Sequence, residues 1–385
     1  MAAIRSAILR ALAIRAAAPV AVTFLLLLAL LLLAACAPLP APPAGLAPPE
    51  RANPPAAGPH FTADRFVTTD GERLPLSRWL PPGKPRAVVL ALHGFNDYSH
   101  AFAGPAALWA KEGIATYAYD QRGFGAAPGR GRWRGSEALA DDALTAIEIL
   151  RRRYPGAPLY LLGESMGGAV AILTATGAAG LPLSPIDGVI LVAPAVWGRG
   201  TMKLLPRLLL WVAVRVAPGL TLTGQQLHIW PSDNIAMLRA LARDPLVIKT
   251  TRVDTIWGLV NLMDRAVAAA PRLNGPVLVL YGHHDEIIPK RAMQYFVERL
   301  RDPQARFAYY RHGYHMLLRD REAPLVAADV AHWLCQPAAA LPSGAERGAL
   351  AALFGQSKPG TVRAARSRAR AWDGTGDAAR FPAGS

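Results

Sequence analysis

The chain has 385 residues, 52% of them apolar, enough to bury one sizeable core and suited to one large domain with extensions rather than two full domains. Its two cysteines, Cys36 and Cys335, exclude a disulfide-stapled scaffold. The formal net charge is +15, with three arginines and no acids in residues 1–35, and seven Lys or Arg against three acids in residues 336–385. Scattered arginines without a recognisable binding module argue against nucleic acid as a partner. A basic chain tethered to a membrane would be drawn to anionic head groups.

At the N-terminus Arg5, Arg10 and Arg15 precede an apolar run from Val20 to Leu33, the order of a secretory signal, here residues 1–35. The run closes in Leu33-Ala34-Ala35-Cys36, which resembles the lipobox of bacterial lipoproteins. The resemblance implies cleavage before Cys36, lipidation of Cys36, and a protein lipid-anchored in the bacterial cell envelope and facing the periplasm. The alternative is an uncleaved anchor, because Ala16 to Ala35 is interrupted only by Pro19 and Thr23. With Cys36 acylated, Cys335 has no intrachain partner, and beside Trp333 and Leu334 it reads as a small packed hydrophobe.

Residues 36–59 are rich in Pro and Ala and read as a semi-rigid extended linker. Phe61 to Leu80 predicts two strands around the Asp70-Gly71 turn. Strands and helices then alternate: a strand over Ala87–Leu92, a helix over Phe102–Lys111, a strand over Ile114–Tyr119, an amphipathic helix over Glu137–Arg153, and strands at Leu159 and over Gly188–Ala193. Later come strands over Val277–Tyr281 and Arg306–Tyr310, with helices over Arg291–Leu300 and Ala323–Leu334. The pattern predicts an α/β fold, a mainly parallel sheet covered by helices on both faces, in two parts, residues 60–194 and 274–336. Residues 195–273 are too long for a connection and predict a helical lid inserted after strand 6, over the strand tips. Some of its apolar residues, in Leu204–Val216 and Trp257–Met263, are candidates to line an acyl pocket. Residues 337–385 read as a disordered basic tail.

The chemistry centres on Gly163-Glu164-Ser165-Met166-Gly167, which joins the apolar strand Pro158–Leu162 to the small-residue helix Gly168–Leu173. This is the setting of a nucleophile elbow: glycines allow a sharp turn, and the helix start offers N–H groups to an oxyanion. A serine hydroxyl needs a base to take its proton and an acid to orient that base. Both candidates follow in chain order, Asp285 in the turn after one apolar strand and His315 in the loop after the last. Glu286 and His312 are their respective rivals, and His283 and His284 beside Asp285 raise the weaker idea of a metal site.

With these residues in view, the chain resembles the α/β-hydrolases, and within them the group of monoacylglycerol lipases, lysophospholipases and serine aminopeptidases. The resemblance is carried by His93-Gly94-Phe95-Asn96, Asp120-Gln121-Arg122-Gly123-Phe124-Gly125, the Gly163–Gly167 elbow, Gly282–Asp285 and Gly313–Leu318, and spans about Phe61 to Cys335. It implies Ser165 as nucleophile, Asp285 as orienting acid, His315 as base, and the backbone N–H groups of Phe95 and Met166 as the oxyanion hole. His93 is implied to hold the oxyanion loop, and Asp120 and Arg122 to fix their turn. The implied reaction is hydrolysis of carboxylic esters, most of all a lipid ester such as a monoacylglycerol or lysophospholipid, with no metal or organic cofactor. A serine aminopeptidase, with Asp233, Asp244, Asp254 or Asp264 holding an α-ammonium, is the alternative. A non-catalytic lipoprotein scaffold is the second alternative. After His93-Gly94 the chain departs from the lipase pattern with Phe95-Asn96-Asp97-Tyr98-Ser99.

Overall fold

Apolar runs too short for helices become strands buried on both faces. The computed structural model describes residues 58–180, 182, 186–224 and 229–355. The signal segment, Cys36 and nearly all of the Pro/Ala-rich linker therefore lie outside the described residues. In chain order the elements are β1 (His60–Phe61), β2 (Arg65–Val67), β3 (Arg73–Trp79), β4 (Ala87–Leu92), α1 (Ala103–Lys111), β5 (Ile114–Tyr119), α2 (Ser136–Arg153), β6 (Leu159–Glu164), α3 (Met166–Ala175) and β7 (Gly188–Val192). There follow α4 (Leu204–Val216), β8 (Thr221–Thr223), α5 (Ile235–Arg243), β9 (Thr250–Arg252), α6 (Val253–Ala269), β10 (Val277–Gly282), α7 (Lys290–Val297), β11 (Arg306–Tyr310), α8 (Ala323–Cys335) and α9 (Ala349–Phe354).

Among the described residues one sheet runs in the order β1-β2-β3-β5-β4-β6-β7-β10-β11. From β5 to β11 every neighbouring pair is parallel, whereas β1, β2 and β3 form an antiparallel meander that joins β5 at its edge. The Asp70-Gly71 turn closes β2 onto β3, with Gly71 at φ 81°. Two strands were expected in this segment and three form, because Phe61 pairs back on Phe66. The insertion therefore follows the seventh strand rather than the sixth.

Alternation along β4 divides the core in two. Val88, Leu90 and Leu92 face one cluster with residues of α2, α3 and α6, while Ala87, Val89 and Ala91 face another with residues of α1 and α8. Helices thus cover both faces. In α2, Leu139, Ala143, Ala146, Ile147 and Leu150 line the buried side, while Arg151, Arg152 and Arg153 in the last turn complement the helix dipole.

The insertion contains helices, as expected, and also a small antiparallel pair, β8 with β9. Its two apolar stretches have different fates. Val260, Leu262 and Met263 of α6 are buried in the core with residues of α3, so they pack the insertion down rather than line a pocket. On α4 only Val214 is buried, and Leu204 and Leu209 are 74% and 60% exposed. No helix among the described residues is long and apolar enough to cross a membrane.

The tail assignment is corrected. Residues 337–355 are ordered: Leu341 and Leu353 are buried, and Glu346 pairs with Arg306 of β11. The Tyr309 N–H donates to the Ala345 carbonyl at 2.9 Å, so this stretch covers the open edge of the last strand. Its apolar residues, Leu341 and the unbroken run Ala349–Phe354, show no helical or strand period that marks one face, and the edge that recruits them exists only in the folded sheet. Residues 356–385 lie outside the described residues.

Candidate active site

The elbow is built as its glycines require. A Cβ on Gly163 would sit 2.2 Å from the Gly167 carbonyl oxygen, and one on Gly167 would sit 2.0 Å from the Leu92 carbonyl oxygen. No other residue lets β6, α3 and β4 approach so closely. Ser165 itself takes φ 52° and ψ −115°, an unfavourable conformation for a residue with a Cβ. Four backbone hydrogen bonds hold it: its N–H donates to the Val192 carbonyl at 2.9 Å, and its carbonyl accepts from Gly168, Ala169 and Ala195 at 2.9, 3.2 and 2.8 Å.

Parallel strands β4, β6, β10 and β11 bring Phe95, Ser165, Asp285 and His315 to one sheet edge, each just past its strand's carboxyl end. Asp285 and His315 meet directly, with Nδ1 to Oδ2 at 2.9 Å. The other Asp285 oxygen accepts from the Ile287 and Ile288 N–H groups at 2.9 and 2.8 Å, fixing the carboxylate. Burial alone would push the His315 pKa down. The adjoining Asp285 charge and hydrogen bond, with Glu164 behind them, outweigh it and raise the pKa above the ordinary histidine value.

The rivals stand elsewhere. Glu286 accepts from the Trp230 N–H of the insertion at 2.9 Å, and His312 is exposed. His283 bonds to the Tyr309 hydroxyl through Nδ1 at 2.7 Å, and His284 stacks on Tyr314.

Gly94 lies against the serine, since a Cβ on it would be 3.4 Å from the Ser165 Cβ. That contact brings the oxyanion loop to the elbow. Met166 opens α3, so its N–H has no intrahelical acceptor. His93 is fully buried: its Nε2 accepts from the Gln121 N–H at 2.9 Å, which leaves Nδ1 to donate to the Gly94 carbonyl at 2.8 Å. Burial lowers its pKa and keeps it neutral, as this pair of bonds demands. Asp120 accepts from the Ser99 and Ala126 N–H groups, and Arg122 joins Asp142 of α2 to Asp70 and Glu72 of the hairpin. Both fix the turn, as their place after β5 implied.

A family profile described as "Serine aminopeptidase, S33" matches residues 83–322. The chain belongs to this family. It is therefore a serine hydrolase, and the matched residues include every strand-end loop just described. Among curated proteins it is similar to the human monoglyceride lipase, 28% identical over 305 residues, which cover 75% of this chain and 96% of that protein. It is also similar to the monoacylglycerol lipase of Mycolicibacterium smegmatis, 26% identical over 281 residues, 70% of this chain and 95% of the relative. Among solved structures it resembles the Paleococcus ferrophilus monoacylglycerol lipase, with TM-score 0.58 and 25% identity over 68% of this chain and 98% of that one.

Around the expected residues this S33 hydrolase adds polar groups that sequence reading missed. Arg319 reaches Asp97 of the oxyanion loop at 2.7 Å and Glu164 of the elbow at 3.2 Å. Asp320 accepts from the buried Ser232 hydroxyl of the insertion at 2.6 Å and from the Tyr314 N–H at 2.7 Å, and burial pushes its pKa up to about 6. The insertion is tied to the oxyanion loop as well: Ile248 N–H donates to the Asn96 carbonyl, the Asn96 side chain to Thr251, and the Tyr98 hydroxyl to Asp244. No motif marks Arg319, Asp320 or their contacts with the insertion, because partners far apart in sequence carry no local pattern.

Proposed function

We propose that the protein hydrolyses carboxylic esters of lipids, such as a monoacylglycerol or lysophospholipid, through an acyl-enzyme on Ser165. One observation carries the reading: the Asp285–His315 pair stands at the sheet edge where the elbow presents Ser165. His315 Nδ1–H is held by Asp285, which leaves Nε2 to take the Ser165 proton as Oγ attacks the ester carbonyl carbon. The tetrahedral oxyanion is received by the Phe95 and Met166 N–H groups. His315 then protonates the departing alcohol, the C–O bond breaks, and water repeats the sequence to free the acid and regenerate Ser165.

The lipid substrate is favoured over a peptide by the fate of three of the four candidate acids. A subsite for an α-ammonium needs a carboxylate with open valence. Asp254 pairs with Arg252 and Asp264 with Arg199, and both oxygens of Asp244 are taken, by Tyr98 and the Leu246 N–H; Asp233 accepts one N–H, from Arg321, on Oδ1. Relatives named monoglyceride lipase point the same way, as does the apolar surface of α4. The test is a series of p-nitrophenyl esters beside aminoacyl-anilides. We expect kcat/KM to rise from acetyl to medium chains by up to about fourfold per buried methylene. A flat profile with brisk anilide cleavage would favour the peptidase.

A lipid anchor at Cys36, followed by the Pro-rich spacer, would hold the domain at a membrane surface where such substrates reside. Intact mass of membrane-extracted protein checks this. A chain starting at acylated Cys36 is the expected species, and an unprocessed N-terminus would sink the idea.

A further inference from the structure

We propose that Arg319 is a positioning residue that clamps the oxyanion loop and the nucleophile elbow to the histidine loop and balances the charge beside the base; this rests on the triad reading above. Its guanidinium is split between two carboxylates, one in the loop after β4 and one at the end of β6, Asp97 Oδ2 at 2.7 Å and Glu164 Oε2 at 3.2 Å. Asp97 and Glu164 are buried and Arg319 nearly so, with side-chain exposures of 8%, 2% and 11%. The Arg319 Nε is buried with no hydrogen-bond partner among the described residues. An arginine whose Nε is buried without an acceptor while its two terminal nitrogens reach separate carboxylates is placed for bridging, not for its own solvation.

The backbone of Arg319 is fixed as well. Its N–H donates to the Met316 carbonyl at 2.7 Å, and its carbonyl accepts from the Asn234 amide of the insertion at 3.0 Å. Glu164 and Met166 flank Ser165, and Asp97 lies two residues past Phe95. One side chain therefore ties the nucleophile, the oxyanion donors and the base, which lies four residues before it. A planar fork can hold two carboxylates in a fixed geometry where a lysine ammonium cannot.

The charged groups facing His315 are Asp285 after β10, Glu164 at the end of β6 and Arg319 in its own loop, with Asp97 behind Arg319. Asp320, also in that loop, is taken up by Ser232 and the Tyr314 N–H. Glu164 favours the imidazolium and Arg319 opposes it. The base must be neutral to act, so the acid limb of kcat/KM reports its pKa in the enzyme.

The experiment compares R319Q, R319K, E164Q and E164Q/R319Q on a p-nitrophenyl ester, with hydrogen–deuterium exchange across Phe95–Asp97. Removing Arg319 leaves Glu164 uncompensated, so R319Q should move the acid limb to higher pH, and E164Q to lower pH, each by about half a unit to one unit. The double variant should return it near wild type. R319K, keeping charge without the bridge, should lower kcat about tenfold with little change in the limb. Exchange at Phe95–Asp97 should quicken in R319Q. E164Q preserves the side-chain shape and decides the charge role should R319Q not fold. An acid limb unmoved by E164Q, or exchange and kcat unchanged in R319Q and R319K, would overturn the proposal. A wild-type protein inert to the ester and to fluorophosphonate would sink the triad reading instead, and exchange would still decide the clamp.

Discussion

Ser165→Ala is expected to abolish fluorophosphonate labelling and to lower ester hydrolysis by on the order of 10⁶-fold, leaving only the rate that binding and the oxyanion donors supply. The fold should survive, because the substitution removes one oxygen while the backbone bonds of Ser165 to Val192, Gly168 and Ala195 remain. His315→Ala should match it, since an alcohol without a base is a poor nucleophile, and the double variant should be no worse than either single one. Asp285→Asn tests the orienting role. An asparagine can still accept from Ile287 and Ile288, but its amide N–H would face Nδ1 and force the wrong imidazole tautomer, a loss of about 10⁴-fold. If His312→Ala were inactive and His315→Ala active, the base would be misassigned. Circular dichroism and melting of each variant separate lost chemistry from lost fold.

Truncation before residue 340 should destabilise the domain strongly, whereas truncation after residue 355 should not. The shorter chain loses the buried Leu341 and Leu353, together worth about 3–6 kcal/mol as an upper bound. It also strips Glu346 from Arg306, and removes the carbonyl acceptors that Ala352 and Leu353 offer to Lys290 and Gln294. Against a total stability of about 5–15 kcal/mol this is a large fraction, and a melting temperature lower by on the order of 10 °C is expected. Turnover should fall too, because β11, whose edge is uncovered, leads directly into the His315 loop. Equal melting temperatures for the two truncations would show that residues 340–355 add nothing to the domain.

The strand and helix positions were legible because buried parallel strands write themselves as short apolar runs and α2 as a 3.6-residue period. The elbow was legible for a different reason. Its glycines, serine and flanking strand and helix are contiguous, so one stretch of sequence contains the whole device. Asp285 and His315 are favoured over Glu286 and His312 by chain order and resemblance, and the fold supplies the physical reason for that choice. Glu286 is drawn to Trp230, and His312 is left in solvent.

What sequence alone determined about this protein is whatever depends on neighbours in the chain: the alternation of strands and helices, the turn at Asp70-Gly71, the serine at the strand–helix junction, and so the class of chemistry. What only the tertiary structure decided depends on partners remote in sequence. Residues 341–354 carry apolar side chains without a period that marks one face, and become ordered because β11 has an open edge to cover. Leu262 and Met263 look the same as Leu204 and Leu209 along the chain, yet the first pair packs against α3 and the second stays exposed, since only packing assigns an apolar residue a face. Asp97, Glu164 and Arg319 meet from the loop after β4, the end of β6 and the loop after β11. A buried charge is tolerable only with its partners in place, and those partners are supplied by the sheet that brings the loops together.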